Sequence, residues 1–165
     1  MSLPRLILAP VDFSEPSEHA VEVAADYASR LGADLLLVHA VPAIPKLPSP
    51  SEIFREAEYE EALLQDARQR LETLAQGLAK KGVRAATEVG IANDVGMEIL
   101  RIAEHHHVDL IVIATHGMTG WHKLVFGSVA EKVVKLASTP VLVLRTSPKA
   151  DEETSSRAAS SVVAR

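Results

Sequence analysis

The stretch "DLIVIATHGMTGWHKLVFGSVAEKVVKLASTPVLVL", residues 109–144, decides the fold. Its flanking runs, "VDLIVIAT" (Val108–Thr115) and "PVLVLRT" (Pro140–Thr146), are nearly continuous in Val, Ile and Leu. Runs of that length and composition read as strands covered on both faces. Between them, Val129–Ala137 reads as a helix. The joint before that helix needs a reason: Gly117, Gly120, Gly127 and a lone Trp121 separate two well-patterned elements.

The same alternation extends towards the N-terminus. Arg5–Val11 reads as a first buried strand. Ser14 fits an N-cap with Pro16 in the first turn. Ala20, Val21, Ala24, Ala28 and Leu31 then recur at helical spacing, and Gly32 fits the C′ position. "ADLLLVHAV" (Ala33–Val41) is the second strand. The four prolines of "PAIPKLPSP" (Pro42–Pro50) exclude a helix or a central strand there. A long amphipathic helix is expected from Glu52 to Lys81, with Ile53, Ala57, Leu64, Ala67, Leu71, Leu74 and Leu78 as its apolar stripe and Gly82 as its end. "VRAATEV" (Val83–Val89) alternates, as a more exposed strand does. Gly90 is expected to start a turn, and Val95–His107 to form a helix with Ile99, Leu100 and Ala103 inward. Alternating strands and helices with apolar strands predict an α/β fold: an open parallel sheet with helices on both faces. Residues 1–146 form the expected single domain. The tail 147–165 is rich in Ser, Ala and charge and reads as disordered or loosely attached.

Composition narrows the function. The net charge of −5 argues against nucleic acid and anionic membrane surfaces as partners. No apolar run approaches the roughly 20 residues of a membrane span. The N-terminus lacks the length and flanks of a signal peptide. With no cysteine, the 165 residues offer no disulfide, thiol nucleophile or Cys-based metal site. A cytoplasmic home fits these features.

The glycine joint falls at the carboxyl end of the fourth strand, where ligands bind in open α/β sheets. Gly127-Ser128 opens the fourth helix, and Ser128 with Glu131 matches a capping box. The first-turn N–H groups and the helix dipole form an anion site, and Gly117 and Gly127 let a phosphate chain lie against the backbone. Ordinary loop punctuation explains the same glycines equally simply. The pattern is neither a Walker A loop nor G-x-G-x-x-G.

"ILAPVDFSEPSEHAVEVAADYASRLGADLLLVHAV" together with residues 109–144 resembles the universal stress protein family, over nearly all of Leu6–Thr146. The family's nucleotide motif is Gly, two residues, Gly, nine residues, Gly, then Ser or Thr. Here it reads Ala114, Thr115-His116, Gly117, nine residues, Gly127, Ser128, with alanine in place of the first glycine. The resemblance implies a five-stranded parallel sheet in the order 3-2-1-4-5, of the adenine nucleotide alpha hydrolase type. It implies ATP across the ends of strands one and four, with Mg2+ or Mn2+ on the phosphates. Carried over by position, Pro10, Val11, Asp12 and Val38 flank the adenosine. Ile113, Ala114 and Gly117 flank the ribose and phosphates, and Gly127, Ser128 and Val129 hold the phosphate chain. The family also commonly dimerises through strand five, here Val141–Leu144, whose apolar edge invites pairing.

Other residues carry two readings each. Asp12 is either a ligand-binding carboxylate or a capping residue for the turn into helix one. His116 either contacts phosphate or packs the loop; Trp121 anchors the loop or meets a partner; Lys123 reaches phosphate or stays solvated. "HHH" (His105–His107) suits a helix C-terminus better than a metal site, because adjacent residues face different ways. The acidic "REAEYEE" suits a wet helix face. No catalytic constellation stands out, so the expected function is an ATP-binding stress-response module with slow or no turnover. A nucleotide-free interaction module acting through its dimer surface, and a slow ATPase or phosphotransfer protein using Asp12 or Ser128, are the alternatives.

Overall fold

Five apolar runs become one parallel sheet. The computed structural model describes residues 3–43, 50–115 and 127–145, and the backbone alone for 50–56. Its elements are β1 (Leu6–Pro10), α1 (Glu15–Leu31), β2 (Asp34–Pro42), α2 (Pro50–Lys80), β3 (Ala85–Ala92), α3 (Val95–His105), β4 (Leu110–Ala114), α4 (Ser128–Leu136) and β5 (Val141–Leu144). The strand order is β3-β2-β1-β4-β5, and all pairs are parallel. Single-domain α/β architecture and strand order both match the expectation.

The strand side chains alternate between two cores. Ile7, Ala9, Leu35 and Leu37 pack with Val21, Ala24 and Ala28 of α1 and Leu71 and Leu78 of α2. Leu8, Leu36, Ile111 and Ile113 pack on the other face with Ile99, Ile102 and Ala103 of α3 and Ala130 and Val133 of α4. Both faces are therefore covered, which is why the central strands carry no polar alternation. Truncating a fully buried member such as Leu8 or Leu37 to Ala costs about 2–5 kcal/mol. Asp109 ties the strand starts together: its carboxylate accepts from the N–H groups of Arg5 at 2.8 Å and Leu6 at 3.0 Å. Those two bonds hold its carboxyl below the usual carboxylate range.

Several details differ from the sequence-based expectation. Gly90 does not start a turn; it lies inside β3 opposite Ala40. A Cβ there would stand 2.5 Å from the Glu98 carboxylate, so this glycine serves a close approach between β3 and α3. Pro42 is the last residue of β2 rather than part of the loop. β1 ends opposite Val38, so Pro42 has no strand on that side awaiting an N–H. On α2 the inward stripe begins around Leu64; Ala57 is exposed, and the side chain of Ile53 is not among those described. α3 stops at His105: His106 takes the cap position and His107 has a positive φ of 52°. The His106 ring nitrogen stands 2.5 Å from the Glu88 carboxylate on β3. The expected tail 147–165, most of "PAIPKLPSP", and the loop residues Trp121 and Lys123 fall outside the described residues. Among the described residues no helix is long and apolar enough to cross a membrane.

Candidate functional site

β1 and β4 are neighbours at the centre, and the chain leaves their carboxyl ends for helices on opposite faces. Such a reversal opens a crevice between the departing loops. Here the crevice is a cavity of about 270 Å³. The end of β1 contributes Pro10, Val11 and Asp12, and β2 contributes Val38. β4 contributes Ile113 and Ala114, and the start of α4 contributes Gly127, Ser128 and Val129. Nine of the residues singled out in the sequence thus line one cavity; His116 and Gly117 lie outside the described residues.

The β1 side is a tightly bonded corner. Val11 N–H donates to the Val38 carbonyl at 2.7 Å, and the Val11 carbonyl accepts from His39 Nδ1 at 2.6 Å. A carbonyl only accepts, so this bond fixes the His39 tautomer with the proton on Nδ1. One Asp12 oxygen accepts from the Ser14 N–H at 3.0 Å and from the Ser14 hydroxyl at 2.5 Å. Asp12 N–H in turn meets the Ser17 hydroxyl at 3.3 Å, and Ser17 is buried. Asp12 is not itself the cap of α1; it organises the turn by accepting from Ser14, and it also lines the cavity. Ser14 is the N-cap of α1, as expected, accepting from Ser17 N–H at 3.4 Å.

The α4 side is built differently. Gly127 N–H donates to the Thr115 carbonyl at 2.7 Å, which brings the two ends of segment 116–126 together. The Gly127 carbonyl accepts from Glu131 N–H at 2.9 Å, so Gly127 is itself the N-cap. The expected capping box is therefore absent. Ser128 sits one position too far into the helix, and the Glu131 carboxylate reaches Lys135 instead. Gly127 has no side chain to cap with, so among the described residues no capping side chain satisfies the first-turn N–H groups beside the cavity. Its φ of −61° and ψ of 147° are open to any residue; its lack of a Cβ, not a special backbone angle, is its distinguishing property. Ala114 lies within β4 opposite Leu144, in ordinary strand conformation, so its methyl group meets no backbone penalty there.

The wall carries little charge. Among the described lining residues, Asp12 is the one carboxylate, and neither Lys nor Arg contributes. The remaining lining residues that sequence reasoning did not place at the site include Ser17, His39, Val95 and Thr115. Val95 and Ile99 of α3 face Ala130 and Val129 of α4 across the apolar side. Asp94, the N-cap of α3, bonds to Lys132 of α4, and the Lys132 stem lies against Gly96. The Lys132 bond, then that from Met97 N–H, lowers the Asp94 carboxyl from its ordinary range.

The universal stress protein family profile matches residues 4–145. The chain belongs to the universal stress protein family. Universal stress protein MJ0531 of Methanocaldococcus jannaschii is 32% identical over 144 residues, spanning 87% of this chain and 84% of the relative. Among solved structures, universal stress protein UspA from Lactobacillus plantarum superimposes with a TM-score of 0.78 at 26% identity, covering 88% of this chain and 100% of that one. The fold is also that of the universal stress protein from Archaeoglobus fulgidus in complex with dAMP, with a TM-score of 0.60 at 22% identity, covering 86% of this chain and 98% of that one.

Proposed function

We propose that this universal stress protein binds ATP in the central cavity as a cytoplasmic stress-response module, with slow or no turnover. The observation that carries the reading is the N-terminus of α4, facing the cavity with N–H groups that no capping side chain among the described residues satisfies. Three such groups, those of Ser128, Val129 and Ala130, and the helix dipole suit a phosphate chain. At the other end, the Val38 carbonyl has given one lone pair to Val11 N–H. Its second can accept from the adenine amino group. Asp12, between these ends, suits a ribose hydroxyl. The dAMP complex of the Archaeoglobus fulgidus protein is consistent with an adenine nucleotide on this fold.

The chemistry of the lining suits the nucleotide better than a protein-held metal. Among the described residues no group of three or more acidic or histidine side chains comes together. A Mg2+ or Mn2+ ion here would be held by the phosphates, and Ser128, whose hydroxyl could add a contact, lines the same end of the cavity. That ion would supply charge neutralisation that the described lining residues do not. The chain's own residues bind and orient, and the reading carries slow or no turnover, far below the ~10 s⁻¹ median of enzymes.

β5 is the sheet edge and its four residues are half-buried, which supports homodimer formation through Val141–Leu144. The same edge supports the alternative, a nucleotide-free module that acts through its dimer surface on protein partners. Acid release and mass spectrometry of nucleotide retained by the purified protein, followed by ATP titration of stripped protein with Mg2+, separates them. Micromolar binding, about −8 kcal/mol, is expected; no retained nucleotide and no binding leaves the interaction module.

A further inference from the structure

We propose that Phe13 is a positioning residue for the cavity: clamped between His39 and Arg70, it sets where the Asp12 carboxylate stands. Phe13 has a positive φ of 60°, a conformation that bulky residues rarely keep unless their surroundings compensate. The compensation is visible. The Phe13 and His39 rings are 4.7 Å apart at 38°, and the Arg70 guanidinium stands 3.8 Å over the Phe13 ring. This is a column of three side chains from β2, the β1–α1 corner and α2, with a cation on its outer end.

Its inner end is part of the cavity wall, because His39 lines the cavity and holds the Val11 carbonyl. Val11 is therefore pinned by β2 through both its N–H and its carbonyl. Ser14 is pinned as the cap of α1. Asp12 and Phe13 alone span the corner between those fixed points. A left-handed residue at 13 turns the chain, and the aromatic clamp keeps it turned, so the direction of the Asp12 side chain depends on the clamp. Phe13 itself is packed with the α1/α2 core and acts through its neighbour. Arg70 is half-exposed and also stands 3.8 Å from Asp66, so the outer end of the column is held at the surface.

The proposal rests on the nucleotide reading for its ligand, and the test separates the two. Phe13→Leu, Phe13→Gly, Arg70→Ala, Arg70→Lys and Asp12→Asn are made in the full chain. Phe13→Gly keeps the left-handed backbone without strain and removes the clamp, which guards against Phe13→Leu failing to fold. Binding of adenosine and of inorganic tripolyphosphate with Mg2+ is measured for each folded variant. Loss of the Phe13 ring is expected to weaken adenosine about tenfold and to leave tripolyphosphate unchanged, since that probe engages the α4 end. In an Asp12→Asn background the same substitution is expected to cost nothing further. Arg70→Lys is expected to retain adenosine binding better than Arg70→Ala. Equal loss of both probes, additivity with Asp12→Asn, or unchanged adenosine binding overturns the proposal. Ligand-free NMR gives an independent readout: the His39 ring nitrogen signals and the Asp12 carboxyl signal are expected to shift when the Phe13 ring is lost. If the wild type binds neither adenosine nor ATP, the nucleotide reading fails and those signals decide the positioning claim. Shifted signals then sustain it, and unchanged signals overturn it.

Discussion

Helices α1 and α4 both begin at the carboxyl ends of adjacent central strands, and both beginnings border one cavity, yet they are finished in opposite ways. α1 closes on itself. Ser14 caps it, Asp12 braces Ser14, and Ser17 fills the space behind. α4 starts on Gly127, which has nothing to cap with, and its serine lies one residue past the cap position. A helix start bordering a cavity without a capping side chain is a place where a ligand's oxygens complete the structure. Under the proposed nucleotide reading, this contrast gives α1 the part of building the cavity and α4 that of binding in it.

Gly127→Val attacks that contrast most severely. Its backbone angles tolerate Val, so the fold is expected to hold with a loss of about 1 kcal/mol at the cap. Branched carbons would fill the space beside the first-turn N–H groups. ATP binding measured by equilibrium dialysis is expected to fall at least ~100-fold, about 2.7 kcal/mol. Gly127→Asp sharpens the comparison by giving α4 the cap that α1 has. Thermal stability is expected to stay level or rise by a few tenths of a kcal/mol. ATP affinity is expected to drop ~10-fold, about 1.4 kcal/mol, as the carboxylate takes the phosphate's place. Ser14→Ala performs the opposite experiment on α1: urea unfolding is expected to show a loss of about 1 kcal/mol, with ATP affinity falling far less than for Gly127→Val because Asp12 keeps its bond from the residue 14 N–H. If Ser14→Ala damages binding as much as Gly127→Val, the division of roles is wrong.

The smallest effect concerns α3, whose cap Asp94 is charged and bonded to Lys132. Its folded carboxyl is lowered, so the folded state holds that proton less readily than the unfolded state. The contribution is fully present above the ordinary carboxylate value of about 4 and is lost as pH falls through the lowered one. Asp94→Asn is expected to flatten that acid limb slightly in urea melts compared between pH 3 and pH 6, with little change in ATP affinity.

The strands were legible because burial on both faces leaves an unbroken apolar run, as in Ile7–Ala9 and Leu35–Val38. The beginning of α1 was legible too, since its cap and Pro16 are local signals. The beginning of α4 was misread because Ser-x-x-Glu looks the same whether serine occupies the cap or the first helical turn. Gly90 was misread for a different reason: its partner, Glu98, is a side chain on another element, and no local pattern announces that approach. His39 sits inside an apolar strand, and its bond to Val11 spans 28 residues, so sequence spacing offered no hint of it. The cavity itself exists because the strand order makes β1 and β4 neighbours. Periodicity alone left that order open, and the family resemblance supplied it.

The most direct test of the account compares backbone amide exchange at the two helix starts with and without ATP and Mg2+. The amides of Ser128, Val129 and Ala130 are expected to gain protection on nucleotide binding, while those of Glu15, Ser17 and Glu18 stay unchanged. Bound nucleotide with no added protection at α4, or with protection centred on the α1 start, would contradict the claim that the open end of α4 receives the phosphates.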